Sequence, residues 1–413
     1  MKKVCMIVAD HPFMDSRIFK KEAKSLQKKG YDVSMIVPRK NGYLFDVDGT
    51  PFTNRFLEKS FVYEGIKIIT YNWENSRNQL NKVVNDVSTW DTSGAFYNPL
   101  TKLGIKQDAD IYHVHEYLSL FAGIGIKRLM KTLKGKDVKL IYDSHELTPD
   151  PFDPRYSESH RNNLKEKLLY MLKETDYIIT ISDSIKSWYI SQNPSLPVEV
   201  VYNSPPLALT YKQKNYNKNK LTACYEGNID PNRGNTDKIF KMSEICAKNV
   251  DFKFKIIGGP RFGETIQLPD HLQKNIHLTG WVDFQEISKH MEEVDIGWID
   301  YDNLNQSLNR HYAMPNKFFS FLNNGVPIIV NKCHDMESFL RRHQCGLVVN
   351  KQYSKGEDFA EALLYLYNNK DMLQKMSINA RKAMEDLYSW EKMEQRLYNV
   401  YSELLGNNVK FLM

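Results

Sequence analysis

The chain alternates between short apolar runs and segments whose apolar residues recur at helical spacing. The first run, KKVCMIVAD, is rich in β-branched residues and ends at a turn, which is typical of a buried parallel strand. A helical segment, SRIFKKEAKSLQKKG, follows and ends at Gly30, and YDVSMIVPR is the next apolar run. These three segments predict a βαβ unit with the right-handed crossover of parallel strands.

The same alternation continues through two consecutive halves of the chain. Residues 41–100 are less regular, and we interpret them as a variable excursion whose clearest strand is VYEGIKIITY. Further strands of the first half are predicted in DADIYHVHE, VKLIYDSHE, DYIITIS and VEVVYNSPP. Residues 210–220 form a polar linker, and a second series of strands follows it: LTACYEGNI, FKFKIIGG, IHLTGWV, DIGWIDY, VPIIVN and CGLVVN. The pattern predicts two doubly wound α/β domains, 1–205 and 206–387, which face each other across a cleft.

Composition and charge narrow the class of protein. The chain has 413 residues, of which 42% are apolar and 26% charged, as in ordinary globular proteins. A net charge of +6 permits anionic small substrates but is too diffuse to indicate nucleic-acid binding. The five cysteines form no CxxC pair, which favours free thiols in a reducing compartment. No signal peptide and no apolar run of about 18 residues is found, so we expect a cytoplasmic location.

Ligands of doubly wound sheets bind at the carboxyl ends of the strands, so residues that directly follow strands are the first candidates for a binding site. His145 in LIYDSHELTPD directly follows a predicted strand, where an imidazole can donate a hydrogen bond to a sugar hydroxyl or transfer a proton. A structural histidine that caps the next turn is the alternative. His113 and His115 share one face of a strand, but no third ligand follows at zinc-site spacing, so a packing role is favoured.

The loop after the first strand, DHPFMDSR, has no GxGxxG fingerprint of dinucleotide binding. Asp15 or Ser16 suits the N-cap of the following helix. Arg17 is a cation in the first helical turn, where the helix dipole is already positive, and this placement predicts an anionic ligand nearby.

The second half carries a comparable loop in YEGNIDPNRGN. Gly227 and Gly234 allow close backbone approach, and Arg233 adds a guanidinium at the helix start. Together they predict a phosphate site, with an ordinary solvated loop as the alternative.

A third cation stands at a helix start in HYAMPNKFFSFLNNGVP. Pro315 suits the first helical position and Gly325 the end. Lys317 lies in the first turn and shares one side of the helix with Asn316 and Ser320. The phosphate of a nucleotide would explain this cation, and a lysine that extends into solvent is the alternative.

In series, SRIFKKEA, YDSHEL and PNKFF resemble motifs of the family 4 glycosyltransferases of the GT-B fold, and the likeness runs along nearly the whole chain. YSWEKMEQRLYNVYSELL resembles the family's closing helices, the last of which crosses back to the first domain, so 388–413 would complete it. The resemblance implies a retaining, metal-independent transfer of a sugar from a UDP- or GDP-linked donor to a cell-surface polysaccharide or glycoconjugate. It implies no other cofactor.

The resemblance also implies roles for single residues. His145 would contact a hydroxyl of the transferred sugar, and Arg233 and Lys317 would bind the diphosphate. Asp15 and Arg17 would border the acceptor or the diphosphate. The implied donor-binding positions are Gly227, Gly259, Val282, Asn316 and Ser320.

Three positions depart from the family pattern. Tyr312 and Ser320 stand where many relatives have glutamates, and Asn228 stands where they have a second arginine. These departures motivate an alternative, a non-catalytic GT-B subunit that binds or stabilises a partner glycosyltransferase; a sugar-nucleotide epimerase is a third reading.

The resemblance further implies a glycan or lipid-linked glycan as acceptor. A lipid-linked acceptor would bring the basic segment KKEAKSLQKKG to the inner face of the membrane as a peripheral contact. A solvated basic helix face is the favoured reading of that segment. Donor sugar, linkage and oligomeric state are not predicted.

Overall fold

The computed structural model describes residues 1–74, 93–230, 235–261, 264–351 and 353–406. The chain divides into two compact units. The first consists of Met1–Tyr202, Gln306–Asn309 and the residues from Glu394 on. The second consists of Asn203–Asn305 and Arg310–Met393. Each unit contains one sheet of mainly parallel strands, so the predicted fold class of two Rossmann-like α/β domains is confirmed.

The first unit is built on an eight-stranded sheet. Its strands are β1 (Lys3–Val8), β2 (Asp32–Arg39), β3 (Ser60–Tyr63), β4 (Ile66–Asn72), β5 (Ile111–His115), β6 (Lys139–Ser144), β7 (Tyr177–Thr180) and β8 (Val198–Val200). The first helix, α1, is a π-helical segment (Ile18–Ala23) that continues as an α-helix (Lys24–Lys28). The other helices are α2 (Ser93–Phe96), α3 (Pro99–Gln107), α4 (Glu116–Lys134), α5 (Glu158–Leu172) and α6 (Asp183–Gln192).

The strand order of this sheet is β3-β4-β2-β1-β5-β6-β7-β8. The chain winds outward in opposite directions from β1, so the switch point of the fold lies between the carboxyl ends of β1 and β5. The segment VYEGIKIITY, expected as one strand, forms the antiparallel hairpin of β3 and β4 instead. Glu64 and Gly65 have φ angles of 47° and 77°, and two left-handed residues in succession make a tight hairpin turn.

The second unit is built on a six-stranded, fully parallel sheet of order β11-β10-β9-β12-β13-β14. Its strands are β9 (Lys220–Asn228), β10 (Asp251–Gly259), β11 (Ile276–Leu278), β12 (Ile296–Ile299), β13 (Ile328–Val330) and β14 (Gly346–Val348). The remaining α-helices of the described chain are α7 (Asn235–Ala247), α8 (Ile287–Met291), α9 (Leu308–His311), α10 (Asn316–Asn323), α11 (His334–His343), α12 (Gly356–Asn368), α13 (Lys370–Ala383) and α14 (Trp390–Leu404). The π-helical segment Met384–Tyr388 follows α13.

The helix α14 belongs to the first unit from Glu394 on, whereas residues from 388 on were expected to complete that unit. Tyr398 donates a hydrogen bond to the carbonyl oxygen of Ser25 in α1 at 3.0 Å. The hydroxyl of Tyr401 lies 2.9 Å from Nδ1 of His113 in β5. The C-terminal helix is therefore part of the packed interior of the first unit.

The helix α10 positions Lys317 and begins at Asn316, one residue later than expected, because Pro315 takes the extended N-cap conformation. Its apolar face consists of Phe318, Phe319, Phe321 and Leu322, and all four are buried as predicted. Gly325 has a φ of +60°, and its N–H bonds to the carbonyl of Leu322, so this glycine ends the helix.

Two glycines bring the ends of β9 and β10 unusually close together. Gly258 has a φ of +115°, and a Cβ built on it would lie 2.4 Å from the carbonyl oxygen of Gly227. No side chain fits there without movement of the backbone. The neighbouring Gly259 has open space around its ideal Cβ position.

We therefore expect Gly258→Ala to lower the free energy of unfolding by roughly 2–4 kcal/mol, because it adds both backbone strain and overpacking. Gly259→Ala is the matched control and should change it by no more than about 1 kcal/mol. Chemical denaturation of the two variants measures the difference. Equal losses would contradict the assigned close approach.

Candidate functional site

In the first unit, three side chains converge at the carboxyl ends of β1, β5 and β6. His145 directly follows β6 as predicted, Glu116 directly follows β5, and His11 comes three residues after β1. Oε1 of Glu116 lies 3.5 Å from Nε2 of His11 and 3.5 Å from Nδ1 of His145. All three side chains are partly exposed, so this group can contact a ligand at the switch point of the sheet.

Glu116 has a φ of +69°, which is a left-handed conformation for a residue with a side chain. Such strain persists only where the surrounding structure imposes it, and it is concentrated at functional sites. Neither Glu116 nor His11 was predicted from the sequence as a site residue. They follow strands just as His145 does, and that position was the available signal.

Beneath this group lies a buried ion pair between Arg17 and Asp143. Arg17 donates to both carboxylate oxygens of Asp143, from Nε at 3.1 Å and from Nη2 at 3.0 Å. Its Nη1 donates to the carbonyl of Val201 at 2.7 Å, and Glu22 lies 2.9 Å from Nε. Arg17 is only 1% exposed, so internal carboxylates supply the anions that its position requires. The expectation of a ligand anion beside Arg17 is thus corrected.

Asp143 in turn holds the histidines in place. Nε2 of His145 lies 3.3 Å from Oδ2 of Asp143 and 3.2 Å from Nδ1 of His115. Burial alone would raise the pKa of Asp143, but the charges of Arg17 and His145 hold that pKa well below its usual value. Burial lowers the pKa of His115 well below its usual value, so this ring is neutral. His145 is therefore oriented from below by groups with fixed charge, and His113 and His115 are buried as expected of packing residues.

Asp15 has the capping role that the sequence favoured. Its Oδ1 accepts hydrogen bonds from the backbone N–H groups of Arg17 and Ile18, at 2.8 and 3.0 Å. Its other carboxylate oxygen lies 3.6 Å from Nδ1 of His11. Burial works against a charged His11, but Asp15 and Glu116 together raise the pKa of His11 well above its usual value. The ring is therefore an imidazolium near neutral pH.

Two groups of side chains in the described part of the chain have donor atoms close enough together to hold a metal ion. One consists of Glu22, His113, His115 and Asp143, and the other of His11, Glu116 and His145. The guanidinium of Arg17 already pairs with both carboxylates of the first group, so a cation is present there without a metal ion. The second group combines two imidazoles and one carboxylate, and it borders the switch point.

In the second unit, the carboxyl ends of β9 and β10 form a floor of backbone. Gly227 and Gly258 both have positive φ, and the N–H of Gly258 donates to the carbonyl of Gly280 at 3.0 Å. Above this floor, Nζ of Lys317 lies 3.7 Å from the centre of the Tyr225 ring. It also lies 3.7 Å from the ideal Cβ position of Gly227. The structure thus brings together Lys317 and Gly227, two residues that the sequence analysis assigned separately to phosphate binding.

The other predicted donor residues can be placed around this pair. Asn316 is exposed at the start of α10, and Ser320 is buried one turn further along. Gly259 ends β10, and Val282 is half-buried beside Trp281, which is 39% exposed and donates to the carbonyl of Pro260. Arg233 lies outside the described residues, so its role stays a prediction.

The structure also describes the three residues that depart from the family pattern, Tyr312, Asn228 and Ser320. Tyr312 is half-buried against the ring of His334, and Asn228 is exposed while its carbonyl accepts a hydrogen bond from Tyr225. Ser320 is buried, and so is Glu226, a residue of β9 that the sequence indicated only as part of a strand. Burial raises the pKa of Glu226, and the Ser320 hydroxyl and the charge of Lys317 oppose that rise.

Comparison with known proteins agrees with this architecture. Residues 17–207 match the profile of "Glycosyltransferase Family 4", and residues 220–369 match that of "Glycosyl transferases group 1". Together the two matches cover most of the chain. Each half of the chain therefore matches a glycosyltransferase profile, and the fold is GT-B.

Three proteins similar to this chain illustrate how far the sequences have diverged. YtcC of Bacillus subtilis (strain 168), which carries the provisional name of a glycosyltransferase, is 24% identical over 262 residues. That alignment spans 57% of this chain and 62% of YtcC, less than two thirds of its length. A sucrose-phosphate synthase from Thermosynechococcus elongatus is 13% identical with a TM-score of 0.66, over 98% of this chain and 100% of the synthase.

HepE of Anabaena, in a complex with UDP and glucose, is 12% identical with a TM-score of 0.67. The match covers 97% of this chain and 100% of HepE. At these identities the solved structures support the GT-B fold. None of the described helices has the length and the apolar character needed to cross a bilayer.

The buried ion pair of this GT-B chain predicts a large stability effect. Arg17→Met leaves Asp143 without its partner, and we expect a loss of roughly 3–5 kcal/mol in the free energy of unfolding. Lys28→Met on the same helix is the control, because Lys28 is exposed and pairs with Glu394 only at 3.6 Å; its loss should stay below about 1 kcal/mol. Urea denaturation measures the free energy of unfolding of both variants. Similar losses would show that the buried pair of Arg17 and Asp143 stabilises the fold no more than an exposed pair does.

A second prediction concerns pH. Since the pKa of His11 is raised in the folded state, its contribution to stability is complete below the unfolded pKa of about 6.5 and disappears as pH rises through the folded pKa. The stability advantage of the wild type over His11→Gln should therefore shrink as the pH rises above about 6.5. Unfolding free energies at several pH values test this, with the exposed His271→Gln as control. A difference that does not vary with pH would contradict it.

Proposed function

We propose that this chain is a retaining glycosyltransferase that transfers a sugar from a UDP- or GDP-linked donor to a cell-surface polysaccharide or glycoconjugate, without a required metal ion. The family and the fold support a sugar transferase that uses a nucleotide donor. The retaining outcome, the independence of metal and the type of acceptor rest on the resemblance to family 4 enzymes.

The observation that carries the proposal is the setting of Lys317. Its ammonium lies in the first turn of α10 and above the glycine floor of β9, and no salt bridge to it is found among the described residues. A helix N-terminus with free N–H groups and an added ammonium strongly favours an anion. The diphosphate of a nucleotide donor fits this arrangement, and HepE, which shares the fold, binds UDP.

In the proposed reaction, the sugar leaves the diphosphate as negative charge grows on the phosphate oxygens. Lys317 stabilises that charge together with the N-terminus of α10, and Arg233 is assigned the same role. Gly227 and Gly259 let the nucleotide approach the backbone closely, with Val282 and Asn316 at the edge of its site. His145, oriented by Asp143, donates a hydrogen bond to a hydroxyl of the transferred sugar.

The acceptor is assigned to the first unit, where His11, Glu116 and His145 offer partly exposed polar groups. Asp15 borders this group through His11, whereas Arg17 acts beneath it by fixing Asp143. A glycan or a lipid-linked glycan has the hydroxyl groups that such side chains bind. Peripheral contact with the inner face of the membrane is part of the proposal for a lipid-linked acceptor.

The test is to incubate the purified chain with a panel of UDP- and GDP-sugars and to measure hydrolysis and transfer. Lys317→Gln should lower turnover roughly 100-fold or more, as removal of one charge-stabilising donor does in other enzymes. Lys274→Gln, an exposed lysine before β11 at the opposite end of the sheet, is the matched control and should retain activity. His145→Ala should lose turnover while it keeps the wild-type unfolding profile.

Calorimetry with nucleoside diphosphates separates this proposal from the non-catalytic alternative. Binding without turnover on any sugar would leave a nucleotide-binding subunit. No binding to any nucleoside diphosphate would overturn the enzyme and favour a scaffold for a partner glycosyltransferase.

A further inference from the structure

Glu226 is a buried acidic residue of the second unit. It lies in β9, directly before Gly227, and is only 8% exposed. Its Oε2 atom is fully buried and has no hydrogen-bond partner among the described residues. A buried carboxylate oxygen without a partner is costly, so a bound group that donates to it would be stabilised.

The surroundings of Glu226 connect it to the donor site. Burial raises the pKa of the Glu226 carboxyl, and the Ser320 hydroxyl on α10 opposes that rise as a neighbouring donor. Lys317, one turn before Ser320 on the same side of the helix, interacts with the carboxylate through its charge. Nζ of Lys317 lies 3.7 Å from the ideal Cβ position of Gly227, and Glu226 directly precedes that glycine in β9. An ammonium that can attract a phosphate and a carboxylate that can accept hydrogen bonds thus border the same strand end.

The chemistry of such a pair is specific. An ammonium fits a phosphate, and a carboxylate with free acceptor positions fits hydroxyl groups, which donate more strongly to a charged acceptor than to a neutral one. A ligand that satisfies both must have hydroxyls a short distance from a phosphate. In a nucleotide sugar, the ribose and the transferred sugar both meet this condition.

We propose that Glu226 accepts hydrogen bonds from a hydroxyl pair next to the donor diphosphate and is thereby a specificity-determining residue of the donor site. This inference rests on the proposed function of the Lys317 site as the diphosphate site. Ser320 is then a positioning residue that holds the carboxylate. The site does not need an acidic residue on α10 itself, because β9 supplies one.

The experiment measures the binding of UDP, of 2′,3′-dideoxy-UDP and of UDP-glucose by calorimetry, with the guanosine series in parallel. Wild type should prefer UDP over its dideoxy form roughly 10- to 100-fold if the ribose donates, which is the effect of losing hydrogen bonds to a charged group. If the sugar donates instead, UDP-glucose should bind more tightly than UDP by a similar factor. The near-isosteric Glu226→Gln should reduce whichever preference the wild type shows to below about threefold.

Two further variants guard against a merely structural effect. Glu361→Gln on α12 is the matched control, because Glu361 is exposed, and it should keep the wild-type ratios. The exchange variant Glu226→Ser with Ser320→Glu moves the carboxylate to the facing helix position and should recover at least part of the preference. Thermal unfolding of each variant confirms that it is folded.

The outcomes separate the two claims. If Glu226→Gln binds nucleotides with the same ratios as the wild type, the role of Glu226 is wrong while the donor site stands. If the wild type binds no nucleoside diphosphate or nucleotide sugar, the proposed function fails and the inference falls with it. A loss of preference in Glu226→Gln, with recovery in the exchange variant, supports both.

Discussion

The first unit depends on one buried interaction, the two-point contact between Arg17 and Asp143. It joins α1 to the end of β6, and a third hydrogen bond from Arg17 reaches the chain after β8. Asp143 then contacts His113, His115 and His145. Because a buried carboxylate is tolerated only with a partner, the position of His145 at the end of β6 follows from the charge on Arg17.

The second unit solves a different problem, which is to bring a phosphate-bearing ligand close to the backbone. Gly227 and Gly258 remove side chains from the ends of β9 and β10, and α10 presents its N-terminus with Lys317 above them. These glycines can bind an anion, but they have no side chains with which to distinguish one phosphate-bearing ligand from another. We assign that distinction to neighbouring residues such as Glu226 and Ser320.

Much of this could be predicted from local sequence. The apolar runs predicted the parallel strands, the four apolar residues of α10 predicted its buried face, and the position after β6 identified His145. The partner of Arg17 could not be predicted, because Asp143 is 126 residues away and local periodicity carries no information about such pairing. Glu226 could not be identified as a site residue for a related reason. It lies in an apolar run, and its relation to Ser320, 94 residues later in the sequence, is visible only in the folded chain. The hairpin of β3 and β4 was missed because a left-handed Glu64 has no strong sequence signal.

The contacts of α14 have a consequence for biosynthesis. Tyr398 and Tyr401 pack against α1 and β5, which are formed by residues near the start of the chain. A ribosome must therefore translate all of the second unit before the first can acquire its last helix. During that interval α1 and β5 lack the cover that α14 later provides, and transiently exposed apolar surface of this kind makes a partly synthesised chain prone to aggregation.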